Sequence, residues 1–127
     1  GLVRVLCPDC KKSKEASPEL KTKLDTFLTL LPDRVNKTEY IQIQLFEPQG
    51  CEKCNRLGYR GRIGIFELLR VNEKIESLIE KQASETEINQ FALENGMVTI
   101  QQDGILKAMR GITSLEEVEA ATGKLKI

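Results

Sequence analysis

Four cysteines in two matched pairs restrict the fold of this chain more than any other feature. Cys7 and Cys10 form one C-x-x-C pair, and Cys51 and Cys54 form the other. A two-residue gap lets both sulfurs of a pair reach one ion from a tight turn, and two pairs complete the tetrahedral shell of structural zinc. The forty residues 11–50 separate the pairs, against about 12–20 in compact zinc ribbons. The sequence therefore predicts a zinc ion that joins two distant segments around an inserted substructure.

Other uses of the cysteines remain open at this stage. Two disulfides would suit a secreted protein, but the rest of the chain lacks secretory character. A redox-active site needs only one pair, and no thioredoxin-like pattern surrounds either. Catalytic zinc is disfavoured because four cysteines leave no position for water. The residues that follow the pairs are expected to direct backbone amides at the sulfurs, and they are Lys11, Lys12, Asn55 and Arg56.

Composition and charge exclude further classes. The chain has 127 residues, which suit one domain or one domain with a small appendage. Nineteen basic and nineteen acidic residues give zero net charge, which argues against a dedicated nucleic-acid binder. The absence of histidine excludes histidine catalysis and histidine metal ligands. No apolar run approaches the ~20 residues of a membrane span, and no secretory leader opens the chain. Because the chain begins at Gly1 in mid-pattern, we expect a fragment.

Periodicity predicts an α+β fold that divides near residue 70. Ser17 and Pro18 are typical of a helix start, whereas residues 11–18 otherwise resemble a loop. Period-two alternation predicts a strand at 40–46. Residues 63–69 are expected to form a second strand, and the two strands are candidates for pairing. We therefore expect residues 1–70 to form a small tetracysteine, zinc-pinned module with a short antiparallel sheet and an inserted helix. Its insert covers about residues 14–47.

Residues 71–127 are predicted to form a C-terminal bundle of short helices. Capping boxes at 84–87 and 113–116 indicate helix starts, and three later glycines indicate helix ends. All four phenylalanines match the apolar periodicity and are expected in the core; they are Phe27, Phe46, Phe66 and Phe91. Arg60 and Arg62 lie among glycines, where they either contact a neighbouring subunit or another domain, or face solvent. Glu67 either pairs with one of them or faces water.

At this point the motifs resemble a family. Residues 50–69, GCEKCNRLGYRGRIGIFELL, resemble the tetracysteine signature of the traffic ATPases of type II secretion and type IV pilus assembly. Residues 2–11 resemble the first half of that motif, and residues 103–118 resemble the family's C-terminal helices. The resemblance implies the C-terminal metal-binding region of a hexameric ATPase. It implies structural zinc on four ligands, which are Cys7, Cys10, Cys51 and Cys54.

The same resemblance implies that ATP chemistry belongs to a missing upstream domain. The chain contains no G-x-x-x-x-G-K-[ST] motif, since Gly123-Lys124 is followed by Leu125. We therefore expect no ATPase activity from this segment alone, and ATP and magnesium only upstream. The implied partners are the upstream ATPase domain, neighbouring subunits of a hexamer and an inner-membrane platform protein, without nucleic acid. The implied location is cytoplasmic, peripheral to the inner membrane through partners.

Two other functions remain as alternatives. A zinc-ribbon nucleic-acid module would require a basic surface with exposed aromatic residues, which the neutral composition does not favour. A stand-alone protein-interaction module with the same cysteines is the other.

Overall fold

The computed structural model describes residues 1–40, 42–67, 73–94 and 96–127. Within them lie two small antiparallel sheets, five α-helices and two 3₁₀ turns, at Lys37–Tyr40 and Glu52–Cys54. This confirms the predicted α+β class. The elements in chain order are β1 (Leu2–Leu6), β2 (Lys12–Lys14), α1 (Pro18–Leu30), β3 (Leu45–Glu47), β4 (Tyr59–Gly64), α2 (Glu73–Glu80), α3 (Glu85–Glu94), α4 (Ile100–Met109) and α5 (Leu115–Thr122).

β1 and β4 lie on opposite sides of the insert, and β2 and β3 lie at its two ends. β1 pairs with β4, with Arg4 opposite Arg62, and the register shifts between Arg4 and Leu6. β2 pairs with β3, with Ser13 opposite Phe46. Because β1 leads into the first cysteine pair and β4 follows the second, the ladders bring the two pairs to one end of the module.

Each predicted strand overlaps a strand of the structure, but the bounds and the pairing differ from the prediction. Residues 12–14 form β2 rather than a loop, because they find a partner in β3. The predicted strand at 40–46 shrinks to β3, since Tyr40 ends a 3₁₀ turn and is buried in the core. The predicted strand at 63–69 begins earlier, as β4, and pairs with β1 rather than with β3. Residues 41, 68 and 69, which those predictions included, lie outside the described residues.

The insert carries the helix that the sequence predicted. The hydroxyl of Ser17 accepts a hydrogen bond from the Leu20 amide at 3.1 Å, and Pro18 occupies the first turn of α1. The helix buries Leu24, Phe27 and Leu28. It ends before Pro32, which cannot continue a helix.

Of the two helix caps predicted after residue 70, one lies at the predicted residue and the other lies one residue later. Ser84 accepts a hydrogen bond from the Glu87 amide at 3.1 Å, as predicted. The cap of α5 is Ser114 rather than Thr113, because Ser114 accepts from the Glu117 amide. Thr113 instead donates its hydroxyl to the carbonyl of Arg4 at 2.7 Å.

One apolar core lies beneath the insert and the last two helices. It contains residues from before and after residue 70, chiefly Leu24, Phe27, Leu28, Leu31, Tyr40, Leu45, Ile105, Leu106, Ala108, Met109 and Val118. Phe27 is buried, as predicted for the four phenylalanines, but Phe66 is 61% exposed. The Phe66 ring lies so close to Gly64 that a β-carbon there would clash with it. Phe66 therefore covers β4 from outside instead of entering the core.

We expect Leu24→Ala to lower the free energy of unfolding by about 2–5 kcal/mol, because it empties a fully buried position. Leu30→Ala, on the same helix, is the matched control, since Leu30 is 78% exposed. Its effect should stay within about 0.5 kcal/mol. Urea titration followed by circular dichroism measures both. Equal losses for the two variants would contradict this packing of α1.

Candidate metal centre

The four cysteine sulfurs converge on one point. All four lie within 4.8 Å of one another. The Cys7 and Cys51 sulfurs are 3.8 Å apart, those of Cys10 and Cys54 are 3.8 Å apart, and those of Cys51 and Cys54 are 3.7 Å apart. A tetrahedral shell with zinc–sulfur bonds of 2.3 Å has sulfur–sulfur edges of about 3.8 Å. The donor set and its spacing therefore fit a four-thiolate metal site; occupation by zinc stays a prediction.

The first pair is held in a tight turn at the end of β1. The Cys7 amide donates to the carbonyl of Gly58 at 3.0 Å, which ties the pair to the start of β4. The amides of Cys10 and Lys11 both donate to the carbonyl of Cys7. These bonds close the turn and direct both side chains of the pair to the same side.

The second pair depends on left-handed backbone. Asn55 and Arg56 have φ values of 52° and 63°, which returns the chain towards β4 directly after Cys54. The Arg56 amide donates to the carbonyl of Cys51 at 2.7 Å. Gly50 has φ of 104°, and a β-carbon there would lie 2.7 Å from the carbonyl oxygen of Arg56. Only glycine fits that close approach.

Backbone amides do point at the sulfurs, but from other residues than predicted. Gly50 donates to the sulfur of Cys10 at 3.4 Å, and Gly58 donates to that of Cys54 at 3.3 Å. The Cys51 amide also donates to Cys54, at 3.2 Å. The expected donors Lys11, Asn55 and Arg56 bind carbonyl oxygens instead, and Lys12 lies in β2. Two glycines next to the second pair were the overlooked signal, since a residue without a side chain lets its amide approach a sulfur.

The crowded sulfurs differ in how readily they ionise. Burial raises the pKa of the Cys10 thiol to about 12; hydrogen bonds with the other thiols raise it further and the Gly50 amide opposes the shift. Burial also disfavours ionisation of Cys54, but the amides of Cys51 and Gly58 outweigh it and lower the pKa of Cys54 to about 6. A bound cation removes the repulsion between neighbouring thiolates. Soft thiolate sulfurs select thiophilic metals such as zinc.

Charged side chains bridge the two pairs on the outside. Asp9, between the cysteines of the first pair, lies 3.4 Å from the Lys53 ammonium and 4.0 Å from the Arg60 guanidinium. Both partners are exposed, so each ion pair contributes little stability. Arg62 and Glu67 are exposed, and no ion pair joins Glu67 to either arginine in the part of the chain that the structure describes.

The helical tail is fastened to the first strand next to the cysteines. The Leu6 amide donates to the carbonyl of Ile112 at 2.9 Å. The Arg4 guanidinium donates two hydrogen bonds to the Glu117 carboxylate, at 3.0 and 2.9 Å, and the Arg4 amide donates a third at 3.2 Å. The hydrogen bond to Arg4 lowers the pKa of Glu117, and that to Glu117 raises the pKa of Arg4. Sequence reasoning missed this pair, because residues 113 apart leave no local pattern.

The comparisons with known proteins agree with these motifs. The profile of a family described as "Type II/IV secretion system protein" matches residues 1–120. The chain is 39% identical to the "Type IV pilus assembly ATPase PilB" of Thermus thermophilus, over 95% of this chain and 13% of that protein. It is 40% identical to the "Type II secretion system ATPase E" of Vibrio cholerae, over 95% of this chain and 22% of that protein. The chain thus spans at most about a fifth of the length of these relatives.

The helices carry no membrane-span signal. Among the residues that the structure describes, none of the helices is both long enough and apolar enough to cross a bilayer.

We expect one zinc ion per chain by elemental analysis and a large loss of thermal stability after treatment with a strong chelator. Structural four-cysteine zinc contributes about 10–16 kcal/mol of apparent folding free energy. Cys51→Ser with Cys54→Ser should abolish both the zinc and the effect of the chelator. Asp9→Asn is the matched control, because it changes an acidic residue between two cysteines and should keep the metal. Absence of zinc together with an unchanged melt would contradict the metal site.

Proposed function

The chain belongs to the type II/IV secretion system protein family, and from that premise we propose that it is the C-terminal metal-binding region of a hexameric secretion or pilus-assembly ATPase. The convergence of four cysteine sulfurs within 4.8 Å, from segments forty residues apart, is the observation that carries the proposal. Two relatives of the chain are named as ATPases.

In this proposal the chain is not itself an enzyme. ATP and magnesium bind to the upstream domain of the parent protein, because this sequence holds no phosphate-binding G-x-x-x-x-G-K-[ST] motif. The family match also favours a motor component over the alternatives of a nucleic-acid ribbon and a stand-alone interaction module. The division into a tetracysteine module (1–70) and a helical region (71–127) is part of the same proposal.

The zinc has a structural role in this proposal. Its four ligands are Cys7, Cys10, Cys51 and Cys54, which leave no coordination position for substrate water. The ion closes the forty-residue insert and holds the ends of β1 and β4 together. Hydrogen bonds from Arg4 to Glu117 then link that end of the module to α5. The module and the tail would therefore move as one rigid part when ATP turnover moves the subdomains of the ring.

The partners follow from that role. They are the upstream ATPase domain, the neighbouring subunits of the hexamer and an inner-membrane platform protein. The protein would lie on the cytoplasmic side, peripheral to the inner membrane through these partners. The proposal covers both pathways, since relatives are named for pilus assembly and for type II secretion.

The experiment replaces Cys51 and Cys54 by serine in the full-length parent protein. We expect zinc to be lost and secretion or pilus assembly to fall by at least about fivefold, the lower end of usual coupling between sites. ATP hydrolysis should fall by less, because its residues lie elsewhere. Zinc content, ATPase rate and transport are measured on the same strain, with Asp9→Asn as control. Normal transport by a folded, zinc-free protein would remove the metal from the mechanism.

A further inference from the structure

Two exposed surfaces of this chain carry opposite charge. The first, here the basic face, belongs to the second cysteine turn and β4, and consists of Lys53, Arg56, Leu57, Arg60 and Arg62. The second, here the acidic hairpin, consists of α2 and α3 with the exposed glutamates Glu73, Glu76, Glu80, Glu85, Glu87 and Glu94. None of these side chains is among the four candidate metal ligands.

The basic face has a high density of cations, and part of it lies on a turn with left-handed backbone. Residues 51–64 contain four cations and one acidic residue, Glu52. Arg56 has a φ of 63°, and its amide donates a hydrogen bond to the carbonyl of Cys51, so the turn presents Arg56 and the 66% exposed Leu57 together. Asp9 is shared between Lys53 and Arg60 and neutralises only part of this charge.

The acidic hairpin has the complementary composition. Residues 73–94 contain six acidic and two basic residues. Ile75 and Ala92 are buried, whereas Ile79 and Leu93 are 55% and 53% exposed. Among the described residues, none of the six glutamates belongs to an ion pair.

The two surfaces do not neutralise each other within one chain. β4, which carries part of the basic face, pairs with β1, whereas α2 packs on α3. In the described part of the chain no ion pair connects the two surfaces. Within this chain each surface therefore keeps its charge and its exposed apolar side chains.

We propose that the basic face of one copy of this chain docks on the acidic hairpin of the next copy. Charge complementarity favours a second copy, because one molecule displays both halves of the contact in similar measure while its net charge is zero. A contact between two different surfaces is head to tail, and such contacts form a ring where the rotation between copies closes and an open filament where it does not. The inference rests on the proposed function, which supplies the ring, and adds to it the surfaces that meet.

Photo-crosslinking in the full-length parent protein tests the contact directly. Leu57 is replaced by p-benzoylphenylalanine, and irradiation should give covalent dimers on a denaturing gel. Mass spectrometry should map the crosslinked peptides to residues 73–94. The same replacement at Leu30, which is 78% exposed on α1, is the matched control and should give few dimers. Crosslinks to another protein or to another region would overturn the inference.

Charge reversal tests the same contact by a different route. Arg56→Glu with Arg60→Glu should raise the concentration for half-maximal assembly about tenfold, as should Glu80→Arg with Glu94→Arg. Glu80→Arg with Glu94→Arg should not disturb folding, because each lies at the end of its helix and cations are favourable in the last turn. The four changes combined should restore assembly. Lys21→Glu with Lys124→Glu reverses exposed cations outside the basic face and is the control.

The outcomes separate this inference from the proposed function. Zinc content and ATPase rate are measured on every variant, and they report on the proposed function alone. If both are normal but reversal has no effect, or the combined variant does not recover, the docking inference is wrong and the proposed function stands. If zinc or ATPase activity is absent while crosslinks map to residues 73–94, the proposed function fails and the contact stands.

Discussion

The convergence of four sulfurs is the constraint on which the rest of the structure depends. Bringing the ends of the forty-residue segment 11–50 together costs about 3 kcal/mol of chain entropy, which favourable contacts must offset. The two ladders are short: β2 and β3 have three residues each, and β1 has five. Two-stranded ribbons are marginal by themselves in water. The cysteine turns therefore need either a bound ion or the helical tail to stay together, and the fold provides for both.

The helical tail contributes through a few long-range bonds at the same end of the molecule. The backbone bond from Leu6 to Ile112, the Arg4–Glu117 pair and the bond between Tyr59 and Ser114 all join it to β1 or β4. The Glu117 side chain is mostly shielded, which makes this pair stronger than the exposed bridges around Asp9. A segment that looks like a separate helical bundle is thus fastened to the strands beside the cysteines.

Local signals in the sequence were sufficient for some features and not for others. The cysteine spacing, the Ser17–Pro18 helix start and the Ser84 cap each depend on neighbours within a few residues, and the structure has the sulfurs together and both caps in place. Strand pairing could not be predicted from local signals, because the paired residues of β1 and β4 lie about sixty residues apart in the sequence. The shift of the last cap from Thr113 to Ser114 has the same origin, since Thr113 binds the distant carbonyl of Arg4.

The close approach of α4 and α5 has a mechanical consequence. At Gly104 a β-carbon would lie 2.8 Å from a methyl group of Val118, so a hydrogen atom fills the whole space between the two helices there. Val118 is completely buried. A slide by one helical turn, about 5.4 Å, would press Val118 against a larger residue than glycine. We therefore expect the two helices to keep one register, so that a displacement of α5 along its axis also displaces α4.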